Sequence, residues 1–130
     1  KKFQLGSDES TKIAVDAILA YADGNFDFMN EVSADTVMFF EPSMGKPIAV
    51  VNPANEFLSQ IQSPYDSITR ELHNAIPVKF EDSDVTLVTV SFYEKRYYKT
   101  GETEQVRLID RIRFRDEKIF WIAQWMGEMK

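Results

Sequence analysis

The chain has 130 residues, 44% of them hydrophobic, with a net charge of −6, one His and no Cys. That length suits one domain able to bury its own core, and the lack of Cys excludes disulfides and thiolate metal sites. The acidic balance argues against a nucleic-acid surface and the lone His against a transition-metal site, while no apolar run reaches the roughly eighteen residues of a membrane span. The expectation is a soluble domain with no cofactor. The sequence begins Lys1-Lys2-Phe3 without an initiator Met, which fits either a cytoplasmic chain trimmed at its start or an exported one after signal-peptide removal.

Residues 1–8 read as a loose arm and 9–130 as a single domain. Ser10, with Asp8 as rival, can cap a helix whose Ile13, Ala14, Ala17, Ile18 and Tyr21 recur at helical spacing until Asp23-Gly24-Asn25 stops it. Residues 26–32 predict a second, short helix. Residues 36–41 are β-branched and aromatic and predict a strand ending at Glu41, halted by Pro42. The Pro, Gly and Ser content of 42–52 marks a loop, after which Pro53 suits the first position of a third helix with the stripe Phe57, Leu58 and Ile61.

Strands follow. In 68–80, Ile68, Arg70, Leu72, Asn74, Ile76, Val78 and Phe80 share one face and His73 joins Thr69, Glu71 and Lys79 on the other; Pro77 implies a bulge or an edge. His73 reads as a solvated or interface residue. Both faces of 85–99 are mixed, so its facing stays open. Thr100-Gly101-Glu102 is a hairpin turn. In the strand after it, Val106, Leu108, Asp110, Ile112 and Phe114 form one face and Arg107, Ile109, Arg111, Arg113 and Arg115 the other. A last aromatic strand, 119–126, alternates so that Trp121 and Trp125 point inward and Phe120, Ile122, Gln124 and Met126 outward. Asp110 is thus an acid within an apolar row. It must be neutral and hydrogen-bonded, paired from a neighbouring strand with Arg70 as the candidate, or set on a pocket wall. Helices gathered ahead of meandering strands predict an α+β fold in which a curved sheet wraps the helices.

These residues resemble a known family. Ala22-Asp23-Gly24-Asn25-Phe26-Asp27 resembles the first interhelical turn of the nuclear transport factor 2-like proteins, and Ala34-Asp35-Thr36-Val37 their entry into the first strand. The likeness is to the ketosteroid isomerases and SnoaL-like cyclases in particular: Phe40-Glu41-Pro42 falls where the isomerases carry their catalytic base, and Ile109-Asp110-Arg111-Ile112-Arg113-Phe114 resembles the strand bearing their protonated oxyanion-hole acid. Ala123-Gln124-Trp125 resembles the aromatic wall of that pocket.

The resemblance implies a cystatin-like cone-shaped barrel, three N-terminal helices against a curved, mostly antiparallel sheet, binding a small apolar molecule. It implies proton transfer beside a carbonyl, with Glu41 as base and Asp110 as hydrogen-bond donor, and a pocket lined by Tyr21, Phe57, Phe114, Trp121 and Trp125. The alternative is a binding module without turnover, because the tyrosines of the isomerases fall on Ala17 and Leu58. Many relatives pair through the outer sheet face, so a homodimer is expected there, its arginines meeting acids such as Glu94 or Glu71 of the second copy.

Overall fold

Residues 85–128 form a long antiparallel meander, and the rest of the molecule is laid against its inner face. The computed structural model describes residues 3–5 and 8–128. Its elements are β1 (Phe3–Leu5), α1 (Asp8–Asp23), α2 (Phe26–Glu31), β2 (Ser33–Phe40), a 3₁₀ turn (Pro42–Met44), β3 (Ile48–Val51), α3 (Asn55–Gln62), β4 (Tyr65–Phe80), β5 (Val85–Tyr98), β6 (Thr103–Arg115) and β7 (Lys118–Glu128). The strands form an open seven-stranded sheet in the order β1-β4-β5-β6-β7-β2-β3. It is antiparallel apart from the β2–β7 pair.

Several boundaries differ from the sequence reading for local reasons. Phe3–Leu5, within the expected arm, pairs with β4; residues 1, 2, 6 and 7 of that arm lie outside the described residues. Helix α1 begins at Asp8, which leaves Ser10 buried in its first turn rather than capping it. Asn25 does cap α2, its Oδ1 accepting from the Phe28 N–H at 3.2 Å. Helix α3 starts at Asn55, two residues beyond Pro53. The expected loop 42–52 contains β3, which pairs with β2 on the sheet edge.

Two bulges reset the facing of strands. In β4 the register steps from Leu72↔Phe92 to Asn74↔Ser91, so His73 is the extra residue. Arg70 and Leu72 therefore face inward as expected, but beyond the bulge Ala75 and Pro77 do, and Ile76 turns outward at 53% exposure. His73 is exposed against the ring of Tyr93, with centroids 4.5 Å apart. In β7 the register steps from Phe114↔Ile119 to Arg113↔Trp121, which makes Phe120 the extra residue. Past it the phase is inverted: Ile122 and Gln124 face inward, while Trp121 and Trp125 lie on the outer face with Arg113 and Ile109.

The core lies between α1 and the inner sheet face. Ala14, Ala17, Ile18 and Ala20 bury the inward side of α1, and their small side chains let the helix lie close to β4 and β5. Val88, Val90 and Phe92 of β5 meet Val106, Leu108, Ile112 and Phe114 of β6 beneath it. The facing of β5 is thereby settled, and Glu94 and Arg96 continue its inner row toward the cavity.

Candidate functional site

Where the sheet curves away from the helices it leaves a cavity of about 180 Å³. Its walls are mostly apolar: Ala17 and Ile18 from α1, Phe57, Leu58 and Ile61 from α3, and Ile112, Ile119 and Ile122 from the sheet. One side is closed by Asn52, whose Nδ2 donates to the carbonyls of Asn30 at 2.8 Å and Ser33 at 3.2 Å, while Asn30 Oδ1 accepts the Ala54 N–H at 2.9 Å. These bonds tie the α2–β2 junction to the β3–α3 junction. Neither asparagine was singled out from the sequence, because each looked like ordinary loop or helix-end composition.

Asp110 stands on the cavity wall at 5% exposure. Gln124, its cross-strand neighbour, donates from Nε2 to Asp110 Oδ1 at 2.9 Å. Among the described residues this is the carboxyl group's hydrogen bond, and no buried side-chain oxygen lacks a partner, so Oδ2 meets open space. Burial pushes the Asp110 pKa up from 3.8 to about 6, the positive charge of Arg70 and the Gln124 bond pulling the other way and Glu94 adding to the rise.

Arg70 does not pair with Asp110. Its Nε donates to Glu94 Oε1 at 2.8 Å and its Nη1 to the Ile18 carbonyl at 2.9 Å. The guanidinium carbon lies 4.3 Å from the ring centroid of Tyr21 and 4.7 Å from that of Phe92. The other Glu94 oxygen accepts from Arg96 Nε at 2.6 Å, and Arg96 Nη1 reaches Glu104 Oε1 at 3.1 Å. A charged chain thus runs from the cavity wall to the surface. Burial pushes the Tyr21 hydroxyl above its usual pKa, with Arg70 opposing.

Of the residues named from the sequence, Asp110, Tyr21 and Phe57 line this cavity together. The others do not. Phe114 is buried at the centre of the core. Trp121 lies under Arg113 on the outer face, 5.3 Å from centroid to guanidinium carbon, and Trp125 is 38% exposed beside Ile109. The bulge at Phe120 is the reason, since it moves both rings to the opposite side of the sheet. Glu41 follows Val37 and Phe39 at two-residue steps, but it lies beyond the lining residues and its carboxylate is engaged by the Ser43 hydroxyl. Gln124, Glu94 and Arg96 are site residues that sequence reasoning missed. The pairing of Arg70 with Glu94 could have been found only once β5 had a facing.

No protein-family model matches the chain, and no curated protein matches it in sequence. Its shape does match solved structures. A nuclear transport factor 2-like protein from Anabaena variabilis superposes with a TM-score of 0.72 at 15% identity, covering 97% of this chain and 96% of that one. A putative polyketide cyclase from Acidithiobacillus ferrooxidans gives 0.70 at 11%, covering 93% and 89%. An M. tuberculosis epoxide hydrolase gives 0.67 at 13%, covering 92% and 83%. The chain therefore has the nuclear transport factor 2-like fold, the α+β cone of ketosteroid isomerase-like and polyketide cyclase-like proteins.

Proposed function

We propose that the chain binds a small, mostly apolar molecule bearing a carbonyl group in this cavity, and that Asp110 moves a proton beside that carbonyl. The observation that carries the reading is an acid on an apolar wall with a pKa near 6 and one oxygen open to the cavity. At pH 7 such a group is about nine-tenths ionised, so it serves as a base rather than as the neutral donor expected from the resemblance. Oδ2 would take a proton from the carbon next to the carbonyl, the C–H electron pair moving toward the carbonyl oxygen to give an enolate. Return of the proton to another carbon is isomerisation; attack of the enolate carbon on a second carbonyl is cyclisation. Glu41, engaged with Ser43 outside the lining, has no part in this reading.

A second reading is a binding module without turnover. It is favoured by Ala17 and Leu58, which present apolar surface where the isomerases carry hydroxyls. Deuterium exchange separates the two. With cycloheptanone in D₂O, the proton-transfer reading predicts exchange beside the carbonyl faster than buffer alone, and a loss of about 10²–10⁴ of that acceleration in Asp110→Asn. Binding without accelerated exchange supports the module.

The raised pKa also has a stability consequence. An acid with a folded pKa above its unfolded one favours the folded state fully below pH 3.8, and that contribution is lost as pH rises through about 6. The rise amounts to about 3 kcal/mol against the ionised form at pH 7. Asp110→Asn should therefore be more stable than the parent by up to about 3 kcal/mol at pH 7, the gap closing near pH 4, in urea titrations at each pH.

We further propose that two copies pair through the outer sheet face. With the β7 bulge included, that face carries Arg107, Ile109, Arg111 and Arg113 beside Trp121 and Trp125, and Ile76 on β4. Glu94 is committed inward to Arg70 and Arg96, which leaves Glu71 as the acid for a neighbouring copy. Ile122 lines the cavity and is no probe of this surface. Sedimentation equilibrium at micromolar concentration should give twice the 15.0 kDa chain mass, falling toward 15.0 kDa in Trp125→Glu; a parent mass of 15.0 kDa would rule the pairing out.

A further inference from the structure

Enolate chemistry requires, besides a base, a donor for the oxygen on which charge collects. Neither the Ala17 nor the Leu58 side chain can supply one, so the donor must come from elsewhere on the cavity wall. Arg70 has the geometry. A guanidinium carries five N–H groups in a rigid fork. One on Nε and one on Nη1 are used, by Glu94 and by the Ile18 carbonyl, and among the described residues Nη2 has no partner. The side chain is only 6% exposed, it lines the cavity, and no buried side-chain nitrogen lacks a partner, so Nη2 opens onto that cavity.

Its position is also fixed before any ligand arrives. The rings of Tyr21 and Phe92 lie 4.3 and 4.7 Å from the guanidinium carbon, and the two hydrogen bonds anchor it to β5 and α1. A donor held this way needs no reorganisation as charge develops, which is the condition for strong electrostatic stabilisation. Glu94 offsets part of the charge but is shared with Arg96, whose own charge is offset further out by Glu104, so Glu94 does not neutralise Arg70 alone.

We propose that Arg70, through Nη2, is the hydrogen-bond donor for the carbonyl or enolate oxygen of the ligand in the cavity that Asp110 also lines. The assignment rests on the proton-transfer reading for the ligand class and goes beyond it by naming the group that receives the oxygen. It makes the preferred ligands those that develop an oxyanion beside an apolar body as Asp110 takes the proton.

The test uses 4-nitrophenol, a chromophoric oxygen acid small enough for the cavity, bound to Asp110→Asn so that no carboxylate at that position repels the anion. The titratable and charged groups then facing the dye are Tyr21 from α1, Tyr65 and Arg70 from β4, and Glu94 and Arg96 from β5, with Gln124 from β7 beside them. The visible absorbance of the bound dye at pH 6 should show a phenolate-to-phenol ratio about tenfold above that of free dye, equivalent to one pKa unit. Arg70→Lys in the same background, which retains a cation for Glu94, should cut that enrichment at least about threefold, since a compact ammonium cannot bridge Glu94 and the ligand at once. Circular dichroism checks that both variants fold. Bound dye with no enrichment, or enrichment unchanged by Arg70→Lys, overturns the role of Arg70 while leaving the cavity as a binding site. No uptake of dye at any pH overturns both.

Discussion

The Arg70–Glu94 pair is the interaction on which the rest of the site depends. It is buried at both ends, with side-chain exposures of 6% and 3%, and Arg70 also holds the Ile18 carbonyl of α1. A buried pair of this kind gives little net stability over an apolar replacement, because desolvation of the two ions offsets their attraction. Its effect lies in specification. It fixes β4 against β5 and seats α1 over their junction, and losing one partner would leave a charge stranded in the core at a cost of about 3–5 kcal/mol.

That commitment decides the state of Asp110. Had Arg70 turned to Asp110, the acid would be an ordinary salt bridge, ionised and inert. Because Glu94 holds Arg70 with one carboxylate oxygen and Arg96 with the other, Asp110 keeps Gln124 as its hydrogen-bond partner and feels Arg70 only through space. Desolvation then prevails, and the carboxyl group is left with a pKa of about 6, mostly ionised at pH 7, with an open oxygen on an apolar wall. A structural ion pair and a reactive acid on one sheet face are in this sense a single arrangement.

The sequence made much of this legible, and its misreadings have physical causes. Strand β6 could be read residue by residue because it is unbulged and buries one face only, and Asp110 stood out in that row. Strand β5 could not, since Glu94 and Arg96 occupy its inner face and Arg70, the second cation on Glu94, comes from another strand. Trp121 and Trp125 were given the wrong side because one extra residue, Phe120, inverts the alternation, and composition carries no sign of a bulge among aromatic residues that suit either face. Strand β3 was hidden because its four residues, Ile48–Val51, strand-forming in themselves, are too short a run to stand out between Pro47 and Pro53. The strand expected to end at Glu41 ends one residue earlier, at Phe40, and the turn after Pro42 brings Ser43 back onto the Glu41 carboxylate.

The central claim is that burial without an ionic partner raises the Asp110 pKa well above the ordinary carboxyl range. Carboxyl-carbon NMR on the ¹³C-labelled protein, with Asp110 assigned by comparison with Asp110→Asn, measures this directly. The account predicts a titration midpoint for Asp110 at about pH 6. A midpoint below the ordinary value of 3.8 would mean that an arginine pairs with the acid after all, and would contradict the account.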